Sequence, residues 1–273
     1  MARRKIRIGV ALGAGSARGW AHIGVLRTLA AAGIRPDVVC GTSIGALVGA
    51  VCANDDLAEL ERWVTALTWR KVVGYFDLTF GGGLLKGEKL FDYLRGGLLD
   101  NRIEDLKRPF AAVATDLASG REVWLREGLV ADAVRASIAM PGLFTPQRQD
   151  DRLLVDGALV NPVPVSLARA MDADFVIAVD LSSSTVGRFV NKAGRGSAAL
   201  PNMVEVMTGS LSIMSVRITR SRLAGEPADA VIQPRLGDIG LLEYHRGAEA
   251  IAEGRAAAEL AIPQILRQLQ DWA

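Results

Sequence analysis

Gly41-Thr42-Ser43-Ile44-Gly45 sets a serine between two glycines, where a β-branched run (Val38, Val39) meets a small-residue helical pattern. This is the sequence of a nucleophile elbow, a tight strand-to-helix turn that holds a serine Oγ proud of a sheet. A side chain at either flanking glycine would collide with the neighbouring strand or helix in so sharp a turn. The helix starting after Ser43 offers backbone N–H groups and the positive end of its dipole. The chemistry is nucleophilic acyl transfer, and it requires a proton acceptor, usually a histidine oriented by a carboxylate. The chain has two histidines, His22 in an early helical pattern and His245 near the C-terminus, neither at a strand end. A carboxylate that takes the serine proton directly is the alternative. Asp156 belongs to the one Asp-Gly pair of the chain, in Leu153-Leu154-Val155-Asp156-Gly157-Ala158. It stands at the end of an apolar strand, and a plain turn is the competing reading.

A second glycine-rich turn lies near the N-terminus. Ile6–Leu12 reads as a buried strand, Gly13-Ala14-Gly15-Ser16-Ala17-Arg18-Gly19 follows, and an amphipathic helix runs through Ile23, Val25, Leu26 and Leu29. Strand, glycine turn and helix form a generic anion-binding arrangement. Taken alone, the turn suits either a phosphate or dinucleotide site or an oxyanion hole. The dinucleotide fingerprint asks for glycine three positions after Gly15, where Arg18 stands. There is no Gly-x-x-x-x-Gly-Lys-Ser/Thr, and Tyr75, Tyr93 and Tyr244 have no lysine four residues on.

Together the three motifs resemble the patatin-like phospholipases, in the bacterial branch related to neuropathy target esterase. Order and strand-end placement agree over residues 6–160. Asn161–Val165, Ile218–Ala224 and Glu243–Arg246 are similar to the same branch. The resemblance implies a patatin-like three-layer α/β/α sandwich with a largely parallel central sheet. It implies Ser43 as nucleophile and Asp156 as its sole partner in a Ser–Asp dyad. Backbone N–H groups of Gly13, Ala14, Gly15 and Ser16 would form the oxyanion hole. Arg18 would be the basic residue of that turn, with Gly19, Gly41, Gly45, Gly157 and Ala158 supporting the motifs. Ala14 and Ser16 depart from the richest glycine pattern, but both are small and the hole is made of backbone. The implied activity is hydrolysis of lipid carboxylic esters (phospholipid, lysophospholipid or related acyl esters) through an acyl-enzyme, with no metal or organic cofactor. An acyltransferase using the same dyad and a non-catalytic lipid-binding protein of the same fold are the alternatives.

The elements that must carry these residues follow from periodicity. Strands are expected near 6–12, 36–40, 109–115, 121–125, 152–156, 174–181 and 229–234. Helices are expected near 17–32, 44–53, 56–67, 87–98, 129–139, 163–171, 201–223 and 243–270. This alternation indicates an α/β sandwich read as a single domain over 1–273. Half of the 273 residues are hydrophobic, enough for a sizeable core. With 32 basic and 30 acidic residues there is no electrostatic case for nucleic acid. Two segments could handle substrate. Residues 63–85 are rich in aromatics and read equally as a packed helix plus loop or as a flap over an acyl channel. Residues 201–223 carry Met203, Met207 and Met214, for which core packing is the commoner account. Arg217, Arg220 and Arg222 read as a solvated face. Cys40 and Cys52 read as buried free thiols, which suits a reducing compartment. Met1–Lys5 is basic but leads into a strand, and no run approaches the roughly 18 apolar residues of a membrane span. A cytoplasmic protein that contacts membranes only peripherally is expected.

Overall fold

In the computed structural model, which describes residues 5–75, 95–182 and 203–272, alternation along each central strand divides the core in two. In β1 (Ile8–Leu12), Val10 and Leu12 face one side of the sheet and Ala11 the other. β2 (Val38–Thr42), β3 (Phe110–Asp116) and β7 (Phe175–Val179) repeat this: Val39, Ala112 and Ile177 on the first side, Cys40, Val113 and Ala178 on the second. Both faces are covered, so these strands read as continuous apolar runs.

The larger cluster is closed by α1 (Ala21–Ala31), α2 (Ile44–Ala53), α3 (Leu57–Thr65), α5 (Val130–Ser137) and α8 (Gly247–Trp272). The smaller is closed by α6 (Val165–Ala170), whose Leu167 and Ala168 lie on small residues of the sheet. A short α4 (Trp69–Tyr75) and the long α7 (Met203–Gly225) complete the described helices. Helix, sheet and helix form the expected three layers.

β1, β2, β3, β7 and β8 (Ala230–Ile232) pair in parallel; β4 (Glu122–Leu125), β5 (Gln147–Gln149) and β6 (Arg152–Asp156) join antiparallel. Sheet order is β5-β6-β3-β2-β1-β7-β8, with β4 also on β3. One detail of register builds the site. β4 occupies one edge of β3 along Ala112–Thr115, so β2 and β6 share the other. There Thr42 lies opposite Val113 and Asp156 opposite Ala114. The end of β2 and the end of β6 therefore meet head to head on one strand.

Three expectations change. β5 was not foreseen, because Gln147–Gln149 is polar and only three residues long. The methionine-bearing helix is not packed in the core along its length: Met203, Ile213 and Met214 are 74%, 56% and 48% exposed. Arg222 leaves the solvated face, pairing with Glu122 and donating through Nε to the Val160 carbonyl at 3.2 Å, while Arg217 and Arg220 stay exposed. Most of the expected helix 87–98, and the part of the expected flap beyond Tyr75, lie outside the described residues.

Candidate active site

Ser43 adopts φ 58° and ψ −126°, between the last residue of β2 and the first of α2. A non-glycine residue at such a positive φ carries backbone strain on the order of 1–3 kcal/mol. The neighbourhood enforces it. A Cβ at Gly41 would overlap the Gly45 carbonyl, and one at Gly45 would overlap the Leu12 carbonyl. The turn is thus folded too closely on itself at Gly41, and packed too closely on the end of β1 at Gly45, for a side chain at either position. The first turn of α2 closes back on Ser43, whose carbonyl accepts from the Ala46 N–H at 2.8 Å.

Ser43 Oγ–H donates to Asp156 Oδ2 at 2.7 Å, and both residues are buried. The other carboxylate oxygen, Oδ1, accepts from the Ala158 N–H at 2.8 Å. Gly157 makes this reach possible, since a Cβ there would strike the Val113 carbonyl. Burial pushes the Asp156 carboxyl up to about 6, against the opposing pull of the Ala158 and Ser43 hydrogen bonds. A carboxylate in that range is ionised at neutral pH and basic enough to accept a proton.

Positioning groups that sequence reasoning missed surround this pair. Ser137 Oγ accepts from the Ser43 N–H at 2.8 Å while donating to the Val113 carbonyl at 2.6 Å. It ties the elbow to β3, and nothing in its local sequence marks it. Thr115 Oγ1 donates to the Asp156 carbonyl at 2.9 Å. Thr42 Oγ1 donates to the Asn161 carbonyl at 2.8 Å, binding the elbow strand to the segment that follows Asp156.

The glycine turn divides its four amides. Gly13 N–H donates to the Val179 carbonyl at 3.0 Å and Ala14 N–H to the Pro162 carbonyl at 2.9 Å. Those two donors are committed to holding the turn, which removes them as oxyanion donors. Among the described residues, the Gly15 and Ser16 N–H groups have no such partner. Ser16 also takes a positive φ of 53°. Arg18 fixes the turn from behind, its Nε donating to the Ile239 carbonyl at 2.8 Å. Burial lowers its guanidinium pKa, with the charge of Glu243 opposing. Gly19 lies against Ile44, where a Cβ would overlap that side chain.

Neither histidine hydrogen-bonds Ser43 or Asp156 among the described residues. His22 Nε2–H donates to the Gly13 carbonyl at 2.8 Å, and burial lowers its pKa to about 4, so the ring is neutral. It braces the glycine turn. His245 meets Trp69 edge to face, with ring centroids 5.4 Å apart.

Two spaces open on either side of the pair. Ser43 and Ser16 line a narrow apolar pocket walled by Trp20, Leu47, Trp63, Leu67, Phe144 and Tyr244. Asp156 and Gly15 line a separate groove beside α7. Of the aromatic segment singled out in the sequence, Trp63 lines the cavity, whereas Trp69 is largely exposed. Among the described residues no group of three or more His, Cys, Asp or Glu side chains is placed to hold a metal ion.

The fold is α/β with a mostly parallel central sheet, and the buried serine and carboxylate sit at its strand ends. The family model for patatin-like phospholipases matches residues 10–169. An uncharacterized NTE family protein of Mycobacterium tuberculosis is 32% identical, over 94% of this chain and 91% of its own length. Rat patatin-like phospholipase domain-containing protein 7 is 35% identical, over 64% of this chain and 14% of its own length. In shape, the chain is similar to VipD from Legionella pneumophila at a TM-score of 0.62 and 12% identity, covering 95% of this chain and 67% of that one. The chain belongs to the patatin-like phospholipase family, whose membership supports a lipid hydrolase at family level.

Proposed function

We propose that the protein hydrolyses carboxylic esters of lipids through a Ser–Asp dyad. One observation carries this reading: the buried 2.7 Å hydrogen bond from Ser43 Oγ to Asp156 Oδ2, with no histidine hydrogen-bonded to either group among the described residues. As Ser43 Oγ bonds to the ester carbonyl carbon, its proton passes to Asp156 Oδ2. The carbonyl oxygen becomes an oxyanion, held by the Gly15 and Ser16 amides and favoured by the α2 dipole. Collapse breaks the bond to the alkoxy oxygen, and Asp156 returns the proton to that leaving group. A water molecule, deprotonated by Asp156, then attacks the acyl-Ser43 carbonyl; the bond to Ser43 Oγ breaks, Asp156 returns the proton to that oxygen, and the free acid leaves. The raised Asp156 pKa supports both halves of this cycle, and no step calls on a metal or organic cofactor.

The apolar lining of the pocket beside Ser43 matches the hydrocarbon of an acyl chain. Contact with a lipid surface goes with the outward face of α7, where exposed Met203, Val206, Ile213 and Met214 run into exposed Arg217 and Arg220. An apolar stripe ending in cations fits a membrane interface bearing anionic lipid. Buried, unpaired Cys40 and Cys52 suit a reducing compartment, and we place the protein in the cytoplasm at such a surface. No described helix is long and apolar enough to cross a membrane.

Turnover of a p-nitrophenyl acyl ester tests the dyad. Asp156→Asn should cost several orders of magnitude, and His22→Ala with His245→Ala should stay within about tenfold of wild type. A folded single histidine variant as inactive as Ser43→Ala would make that histidine the base. Free acid should form without any added alcohol; product found only as a transferred ester would indicate an acyltransferase.

A further inference from the structure

α7 turns hydroxyls inward among its apolar side chains. Exposed Met203, Val206, Met207, Ile213 and Met214 share its outer surface with Arg217 and Arg220, while Thr208, Val216 and Thr219 are buried and Leu211, Ser212 and Ser215 half-buried. A helix that only covered a core would turn apolar residues inward throughout. Ser212 and Ser215, three residues apart and hence neighbours on one face, line the groove that also holds Gly15 and Asp156. Both are half-buried, and among the described residues neither hydroxyl has a protein partner. A hydroxyl can donate and accept, so two of them side by side match a ligand that itself carries oxygens.

The division of the site assigns that ligand. Ser43 borders the apolar cavity, whereas Asp156 borders the groove. The acyl carbon bonds to Ser43, and the leaving oxygen takes its proton from Asp156. The alcohol half of the ester must therefore lie on the groove side while the chain lies in the cavity. The other groove walls, Leu181, Leu211 and Val216, are apolar and suit a short carbon skeleton. Resting on the ester-hydrolase reading above, we infer that this groove is an alcohol subsite that selects glycerol-type leaving groups, through hydrogen bonds from Ser212 and Ser215 to oxygens beyond the reacting one. Specificity for the alcohol thus resides on α7, far along the chain from the catalytic motifs.

The test compares kcat/KM for the glycerol monoester and the ethyl ester of one fatty acid. Wild type should prefer the glycerol ester at least about tenfold, as two hydrogen bonds made by only one of the substrates allow. Ser212→Ala with Ser215→Ala should shrink that preference at least about fivefold, and Ser212→Thr, which keeps a hydroxyl, should retain more of it than Ser212→Ala. The ratio cancels any unfolded fraction, because misfolding lowers both rates together. A double variant with wild-type preference, or a wild type without preference, overturns the alcohol subsite and leaves the dyad standing. A protein that hydrolyses neither ester overturns the functional reading and this inference with it.

Discussion

Asp156 sets its proposed role as a base against stability within one side chain. Its folded pKa of about 6 lies above the ordinary 3.8 because burial disfavours the ionised form. The folded state therefore binds the proton more readily than the unfolded chain does. The stability Asp156 contributes is complete below about pH 4 and is lost as pH rises through about 6. Buried neutral His22, lowered to about 4, behaves oppositely: its contribution is present above its ordinary 6.5 and lost as pH falls. The two slopes offset each other between about pH 4 and 6. Asp156→Asn should accordingly be more stable than wild type at pH 7.5, by on the order of 3 kcal/mol for a shift near two units. Urea unfolding at several pH values checks this, and the advantage should vanish below about pH 4. At this scale the candidate pair Ser43 and Asp156 and the tight turns at Gly41, Gly45 and Gly157 were legible as places in the fold, because each sits in a motif whose backbone geometry restricts residue type. Ser137, Thr42 and Thr115 were not, since a hydroxyl that bridges two strands leaves no local pattern. Nor could spacing tell which amides of the glycine turn were free, because Val179 and Pro162, which accept from Gly13 and Ala14, are remote in sequence.

The segment from Leu236 to Arg246 straps the glycine turn. Ala17 N–H donates to the Leu241 carbonyl at 3.0 Å, and Trp20 Nε1–H to the Tyr244 carbonyl at 3.2 Å. The Tyr244 hydroxyl lies 2.7 Å from Ser16 Oγ in a buried pair, and burial pushes its pKa up to about 12, so it stays protonated. In the proposed ester hydrolysis Tyr244 is a positioning residue, acting through Ser16 on one of the two uncommitted amides. Tyr244→Phe should lower kcat by about three- to tenfold with little change in KM, as loosening a transition-state donor would. A rise in KM alone would make Tyr244 a wall of the acyl cavity and nothing more. The sequence marked Glu243–Arg246 by resemblance without giving it a task, because the contact spans more than two hundred residues. The alternation of strands and helices was legible where apolar periodicity was strong, as in β1, β2, β3 and β7. It failed at polar β5, and at α7 it hid a helix whose methionines look outward.

For the molecule as a whole, the outer face of α7 and the dyad make two separable claims. Binding to a lipid surface can be read without turnover, using Ser43→Ala protein and vesicles of phosphatidylcholine with or without phosphatidylglycerol. Ile213→Asp with Met214→Asp should cut the sedimented fraction severalfold, and anionic lipid should raise it for the parent protein through Arg217 and Arg220. Equal sedimentation of parent and variant would remove this face as the contact. The dyad is the central claim, and covalent capture reads it most directly. A fluorophosphonate probe should label the intact protein once, with the adduct on the peptide carrying Ser43 by mass spectrometry. Labelling should be abolished in Ser43→Ala and slowed by several orders of magnitude in Asp156→Asn, while the His22→Ala, His245→Ala double variant should label within about tenfold of the wild-type rate. Label on another residue, or a histidine variant that labels as poorly as Asp156→Asn, would contradict a Ser43–Asp156 dyad.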